Sequence, residues 1–127
     1  MSAVSQVALV ALGGGCGAVL RFLLGAPVAA AFGRAFPFAT LSVNVIGALA
    51  IGVLYVALDE RLPHAQGWRL LLMTGLLGGF TTFSAFSLET LQLIEAGELA
   101  RALLYVAASV GLCLLSCWAG MGLSRQF

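Results

Sequence analysis

Residues 75–89 read GLLGGFTTFSAFSLE, a stretch unlike the Leu, Val and Ala that fill most of the chain. A glycine pair followed by Thr81 and Thr82 weakens a helix locally. A break inside a membrane frees backbone carbonyls, which must then be buried in protein, line water or bind an ion. The stretch therefore predicts a helix broken at mid-membrane, with the carbonyls of Gly78 and Thr81 as donors to a cation. A helix merely kinked, with its hydroxyls bonded to its own backbone, is the alternative.

The composition indicates that the whole chain lies in a membrane. Of 127 residues, 61% are hydrophobic and 9% charged, which leaves too few polar side chains to cover a soluble globule. Four uncharged runs are each about long enough to span a bilayer at roughly 20 residues per crossing: residues 1–20, 35–58, 70–88 and 102–124. We predict an all-α membrane protein, a single transmembrane domain over residues 1–127 with helices at about 5–31, 36–58, 67–94 and 98–123.

The same composition excludes several kinds of partner and site. The chain has no lysine, a net charge of +1 and scattered arginines, so it has no basic stripe for nucleic acid. Its cysteines, Cys16, Cys113 and Cys117, all fall inside predicted helices, where they are interpreted as small packing residues. No nucleophile and base pair, metal-ligand cluster or phosphate loop is present, so we do not expect an enzyme.

The loop arginines indicate how the chain inserts. An even number of spans places both termini on one side of the membrane. Arginines 61, 69 and 125 flank that side, and arginines 34 and 101 flank the other. Because an excess of positive charge sets orientation, this near balance predicts insertion in both orientations. An antiparallel homodimer is therefore a hypothesis from the sequence.

The first predicted helix carries two unusual features. Gly13-xxx-Gly17 offers a small-residue face for close helix contact, either within one subunit or between two. Four thin helices cannot enclose a hydrated path unaided, which also favours an oligomer. Arg21 would cost about 2.5 to 3.5 kcal/mol at a helix centre, so it should face a vestibule or a carboxylate such as Glu89.

Several side chains could line a path for a small anion. Phe83 and Phe86 share one helix face, and aromatic ring edges are positive, with Thr82 close to the same stripe. In the second helix, the amide of Asn44 needs a partner, and its NH2 group can donate to an anion. The fourth helix has a faintly polar stripe with i, i+4, i+7 spacing: Ser109, Cys113 and Ser116.

Three ordered motifs resemble those of a known family: GGGCGAVLR at residues 13–21, PFATLSVN at 37–44 and GGFTTFSAFSLE at 78–89. On these motifs the sequence is similar, along nearly its whole length, to the Fluc (CrcB) family of bacterial fluoride channels. The resemblance implies a dual-topology antiparallel homodimer in the bacterial inner membrane. It also implies passive export of fluoride through two pathways, with a central structural sodium ion.

Carried over by matching position, the resemblance assigns roles to individual residues. It implies that the sodium ion is held by the backbone carbonyls of Gly78 and Thr81. The predicted fluoride pathway, including the residues singled out above, is Asn44, Phe83, Phe86, Ser109, Thr82, Tyr105, Glu89 and Arg21. This chain departs from the family pattern at three positions: Ala39 replaces a usual Gly, Ala85 a common Thr, and Cys113 a frequent Ser. A thiol donates more weakly than a hydroxyl, so Cys113 interrupts the polar stripe.

Two other classes of membrane protein compete with this interpretation. Small multidrug exporters resemble the chain in size, but they carry an essential carboxylate in the first helix, where this chain has Arg21 and no acid. A non-transporting membrane subunit is the second rival. The polar cluster at residues 81–89, with four hydroxyls, two phenylalanines and a carboxylate, argues against it because polar groups at that depth are costly.

Overall fold

The chain folds into four long helices joined by short turns, in a computed structural model that describes residues 1–127. Each helix is long and apolar enough to cross a bilayer: α1 (Ala3–Phe32), α2 (Phe38–Glu60), α3 (Gln66–Glu95) and α4 (Leu99–Arg125). The prediction of an all-helical protein with four spanning helices is confirmed, and every helix end lies within two residues of the predicted end.

Glycines form the sharp turns at two of the three connections. Gly33, after α1, has a φ of 77°, and Gly97, between α3 and α4, has a φ of 79°. These values lie in the left-handed region that residues with a Cβ avoid, which explains why the glycines stand at these positions.

The helices pack mainly as two pairs, α1 with α3 and α2 with α4. Gly13 and Gly17 lie so close to α3 that a Cβ would overlap the carbonyl oxygens of Leu71 and Leu76. The small-residue face of α1 is thus used for packing within one subunit, which is one of the two alternatives that the sequence left open. Gly52 and Gly120 allow an equally close approach of α2 and α4.

Three of the loop arginines gather at one end of the helices. Arg125 pairs with Glu60 at 2.6 Å, Arg69 lies beside Asp59, and Arg61 donates to the carbonyl of Ser124 at 2.7 Å. These contacts join the end of α2 to the start of α3 and the end of α4. They agree with the placement of the three arginines on one side of the chain.

The protein has little interior of its own. Only 17 of its 127 residues are buried, and large apolar side chains of every helix point outward. Such a surface is suited to lipid or to another protein chain rather than to water.

The helical conformation of α3 is interrupted in its middle. The residues before the interruption include a wide π-helical segment, Arg69–Leu77, followed by one α-helical turn, Gly78–Phe80. Thr81 and Thr82 then have extended dihedrals, with φ and ψ of −87° and 158° and of −152° and 116°. Helical structure resumes over Phe83–Glu95, with the Thr82 hydroxyl as its N-cap.

Candidate functional site

Asn44 of α2 is bonded to the interrupted backbone of α3. Its Oδ1 accepts the N–H of Thr82 at 2.8 Å, and its Nδ2 donates to the carbonyl of Thr82 at 3.0 Å. The amide oxygen therefore replaces the Gly78 carbonyl that the Thr82 N–H would bond in a continuous helix, and Nδ2 adds a donor to the Thr82 carbonyl. One N–H of Nδ2 stays free to donate elsewhere, because the NH2 group has two hydrogens.

The carbonyls of Gly78 and Thr81 are among those that lose their usual helical donors at the interruption. In an α-helix the N–H of residue i+4 bonds to the carbonyl of residue i. The N–H of Thr82, which would serve Gly78, bonds to Asn44 instead, and the N–H of Ala85, which would serve Thr81, bonds to the Thr82 hydroxyl at 3.1 Å. Gly78 and Thr81 are the two residues whose carbonyls the sequence predicted as donors to a cation.

An open groove of about 480 Å³ runs along α2, α3 and α4. Most of its lining is apolar, including Ile51, Met73 and Leu114. The structure also brings most of the predicted site residues into this groove: Asn44, Gly78, Thr81, Thr82, Phe83, Phe86 and Ser109. It thus collects amide and hydroxyl donors and two aromatic rings on one surface of a largely apolar molecule.

The aromatic rings and the Ser109 hydroxyl differ in their exposure. Phe86 is 9% exposed and Phe83 is 78% exposed, with 5.3 Å between their ring centroids. Ser109 is 7% exposed, and its hydroxyl is buried without any hydrogen-bond partner. A buried polar atom without a partner is rare in proteins and indicates a missing ligand, water or contact.

A second, smaller cavity of about 230 Å³ holds the two predicted charged residues, Arg21 and Glu89, and is also lined by Thr82. Arg21 and Glu89 do not form a salt bridge. The Nε of Arg21 donates to the carbonyl of Gly79 at 3.2 Å, so Glu89 as the partner of Arg21 is a wrong prediction. The guanidinium is drawn to the interruption of α3, where the turn Gly78–Phe80 ends and the helical hydrogen bonding stops.

Glu89 bonds to two hydroxyl groups instead of a cation. Its carboxylate accepts from Thr40 at 2.6 Å and from Tyr105 at 2.8 Å. Tyr105 is fully buried, packs against the rings of Phe86 and Phe36, and lines neither cavity. Tyr105 therefore connects Glu89 to Phe86, one of the two aromatic rings that line the groove.

Sequence reasoning missed Thr40 and the carbonyl of Gly79 as contacts of the charged residues. Thr40 stands four residues before Asn44, so the two share a face of α2, and this spacing could have pointed to it. Nothing in the sequence distinguishes the Gly79 carbonyl, because its contact with Arg21 depends on the packing of α1 against α3.

The three departures from the family pattern line these cavities. Cys113 lies in the groove, and Ala39 and Ala85 line the smaller cavity. Cys16 is exposed, and neither it nor Cys117 lines either cavity. Among the cysteines, only Cys113 lines the groove.

The chain that forms these cavities matches known proteins almost throughout. Residues 8–121 match the family model described as CrcB-like protein, Camphor Resistance (CrcB). The chain is 49% identical over 122 residues to a Geobacter sulfurreducens protein named fluoride-specific ion channel FluC, an alignment that covers 96% of this chain and 98% of that protein. Proteins of the same name from Rhizobium etli and Magnetococcus marinus are each 47% identical over 120 residues, covering 94% of this chain and 96% and 98% of those proteins.

Proposed function

This chain belongs to the CrcB-like protein family, and from that membership we propose that it is a fluoride-selective channel of the bacterial inner membrane. In this role it exports fluoride passively and lowers the fluoride concentration of the cytoplasm. The relatives are named as ion channels, in agreement with the prediction that the chain is not an enzyme. The observation that carries the proposal is the groove, which gathers donors and aromatic rings on a largely apolar surface.

Fluoride passes along the groove, where fixed donors replace its hydration shell. The free N–H of Asn44, the unpaired hydroxyl of Ser109 and the edges of Phe83 and Phe86 are the groups that offset dehydration. Close spacing of such donors favours a small anion, and a narrow lining excludes the larger chloride. Thr82 lines both cavities and connects the groove to the vestibule of Arg21 and Glu89, with Tyr105 beside it.

The groove is closed by a second copy of the chain, in an antiparallel homodimer with two pathways. In a single subunit the groove is open, and its polar side chains would face lipid, which is costly. The ring of Phe83 is also uncovered, at 78% exposed. The near balance of loop arginines supports insertion in both orientations. In such a dimer the interruption of α3 lies at mid-membrane, where freed backbone groups must be covered by protein or bind an ion.

The carbonyls of Gly78 and Thr81 hold a structural sodium ion at the dimer centre. The donor set fits, because backbone carbonyls freed from helical hydrogen bonds are typical sodium ligands in membrane proteins. Gly78 is also exposed on the subunit surface, where the carbonyls of a second copy can join it. Bound there, the ion supplies a positive charge that links the interrupted helices of the two subunits.

Fluoride efflux from liposomes that contain the purified protein tests the channel proposal. A potassium ionophore is added to release the electrical potential, and a fluoride electrode records the efflux, with chloride efflux as the control. Rapid fluoride release without chloride release is expected. Absence of release from a correctly folded dimer would refute the proposed activity and leave the fold unaffected.

Two charge-biased variants test the antiparallel arrangement. His64→Arg with Gln66→Arg makes the ratio of arginines five to two, and Ala35→Arg with Glu95→Arg and Ala96→Arg makes it three to five, biased to the other side. All five positions are exposed. Each variant alone should insert in one orientation and give little efflux, and co-expression of the two should restore it. Full efflux from either variant alone would contradict dual topology.

A further inference from the structure

We propose that Asn44 is a positioning residue for the sodium site, because its amide takes the backbone N–H that would otherwise occupy the Gly78 carbonyl. This inference rests on the proposed sodium site and assigns to Asn44 a role apart from donation to the anion. The sodium ligands are carbonyls of α3, whereas Asn44 lies on α2. A side chain of α2 therefore positions the cation ligands of α3.

The geometry at Thr82 supports this role directly. Its N–H lies 2.8 Å from Asn44 Oδ1, and its own carbonyl is bonded to Nδ2 at 3.0 Å, so the two bonds fix the amide in one orientation. Because the N–H and the carbonyl of Thr82 both have hydrogen-bond partners, its extended conformation leaves no backbone polar group of this residue unpaired. Without the Asn44 oxygen, the nearest way to satisfy this N–H is the helical bond to Gly78.

A second contact on the same face of α2 holds the neighbouring residue of the interruption. Gly47, three residues after Asn44, lies against the side-chain methyl group of Thr81, and a Cβ on Gly47 would overlap it. The two threonines of the interruption are thus held by two positions on one face of α2, one by hydrogen bonds and one by close packing. This arrangement keeps the carbonyl of Thr81 from returning to a helical position.

The same amide also faces the groove proposed for the anion. Asn44 lines this groove, and the second hydrogen of Nδ2 is not used by Thr82. The cation site and the anion path are therefore linked through a single side chain. Loss of the Asn44 oxygen should weaken sodium binding, and loss of the Asn44 N–H groups should impair the anion path.

Two substitutions of similar size separate these effects. Asn44→Asp keeps an oxygen that accepts the Thr82 N–H but removes the donors, and Asn44→Leu removes both. Sodium is titrated against N-methylglucamine at constant ionic strength, and the thermal unfolding midpoint of the purified protein gives the apparent sodium affinity. Fluoride efflux is measured in parallel.

We expect Asn44→Leu to weaken the apparent sodium affinity by at least about tenfold, since the Gly78 carbonyl must give up a hydrogen bond before it can bind. Asn44→Asp should stay within about threefold of wild type or bind more tightly, although its fluoride efflux is lost, because an added carboxylate attracts the cation and repels the anion. Wild-type sodium affinity in the leucine variant, or equal weakening in both variants, would overturn the inference.

Failure of the sodium site itself would look different. A wild-type protein with the same unfolding midpoint in sodium and in N-methylglucamine would refute that site and the inference with it. If the leucine variant does not fold, Asn44→Ser replaces it, because the shorter hydroxyl does not reach the Thr82 N–H. The serine variant should show the same loss of sodium affinity, and wild-type affinity would again overturn the role of Asn44.

Discussion

Replacement of Ser109 by alanine tests the anion path through a group that has no structural partner. The Ser109 side chain is 7% exposed, lines the groove, and has a hydroxyl that bonds to no other protein atom. A hydroxyl that stabilises the fold would be bonded to it. A loss of fluoride efflux in Ser109→Ala without a loss of dimer stability would therefore indicate a contact with the passing anion.

The expected size of the effect follows from the strength of one hydrogen bond. A bond to a charged partner contributes about 1.5 to 3 kcal/mol, and each 1.36 kcal/mol changes a rate about tenfold. If the Ser109 hydroxyl donates to fluoride in the rate-limiting step of permeation, fluoride efflux should fall by about 10- to 160-fold in Ser109→Ala. The fold should keep its stability or gain up to about 1 kcal/mol, because a buried unpaired hydroxyl is removed and alanine favours a helix.

The measurement combines fluoride efflux from liposomes with thermal unfolding of the purified dimer. Ser42→Ala is the matched control, since Ser42 is half-buried on α2, lines neither cavity and has no side-chain hydrogen bond. The control should conduct like wild type. The reasoning is refuted if Ser109→Ala conducts at the wild-type rate, or if its efflux and its stability fall together.

Phe83→Ile removes an exposed ring edge from the groove and should lower fluoride efflux at least about tenfold. The dimer should stay intact by size-exclusion chromatography, and wild-type efflux would show that this ring is not a pore residue. Cys113→Ser supplies a stronger donor in the same groove and should speed efflux severalfold, whereas slower efflux would count against a polar track on α4. Gly17→Ala forces α1 from α3 and should lower the free energy of unfolding by about 1 to 3 kcal/mol. Gly15→Ala, where an added Cβ meets nothing within 4 Å, should change it by less than about 1 kcal/mol, and equal unfolding midpoints of the two variants would contradict the packing argument.

The sequence was sufficient to predict the helices because their signals are local. Uncharged runs set the spans, and Gly33 and Gly97 mark turns that need a positive φ. The extended backbone at Thr81 and Thr82 falls in the stretch where glycines and threonines replace apolar residues. Each of these features depends on a few neighbouring residues, so no knowledge of packing was required.

Contacts between helices could not be predicted in the same way. Arg21 and Glu89 have opposite charges and line one cavity, yet Arg21 donates to the Gly79 carbonyl and Glu89 accepts from two hydroxyls. The choice depends on how far α1 is rotated about its axis, which Gly13 and Gly17 determine by their close approach to α3. A pattern along the sequence shows which residues share a face, but it does not show which helix that face meets.

In the proposed channel, one interruption of α3 can serve a cation and an anion because the two helix ends at the interruption have opposite polarity. The C-terminal end at Gly78–Phe80 carries partial negative charge on carbonyls that have no helical donor, and the N-terminal end at Phe83–Glu95 carries partial positive charge on its N–H groups. The extended residues Thr81 and Thr82 separate these two ends. Asn44, which lies on α2, stabilises the separation through its two hydrogen bonds to Thr82. In the proposed dimer, the negative ends face the sodium ion, and the positive ends begin beside the ring of Phe83 on the anion path. Restoring a continuous helix there would remove both ends at once, so the proposed cation site and the proposed anion path both depend on the extended backbone of Thr81 and Thr82.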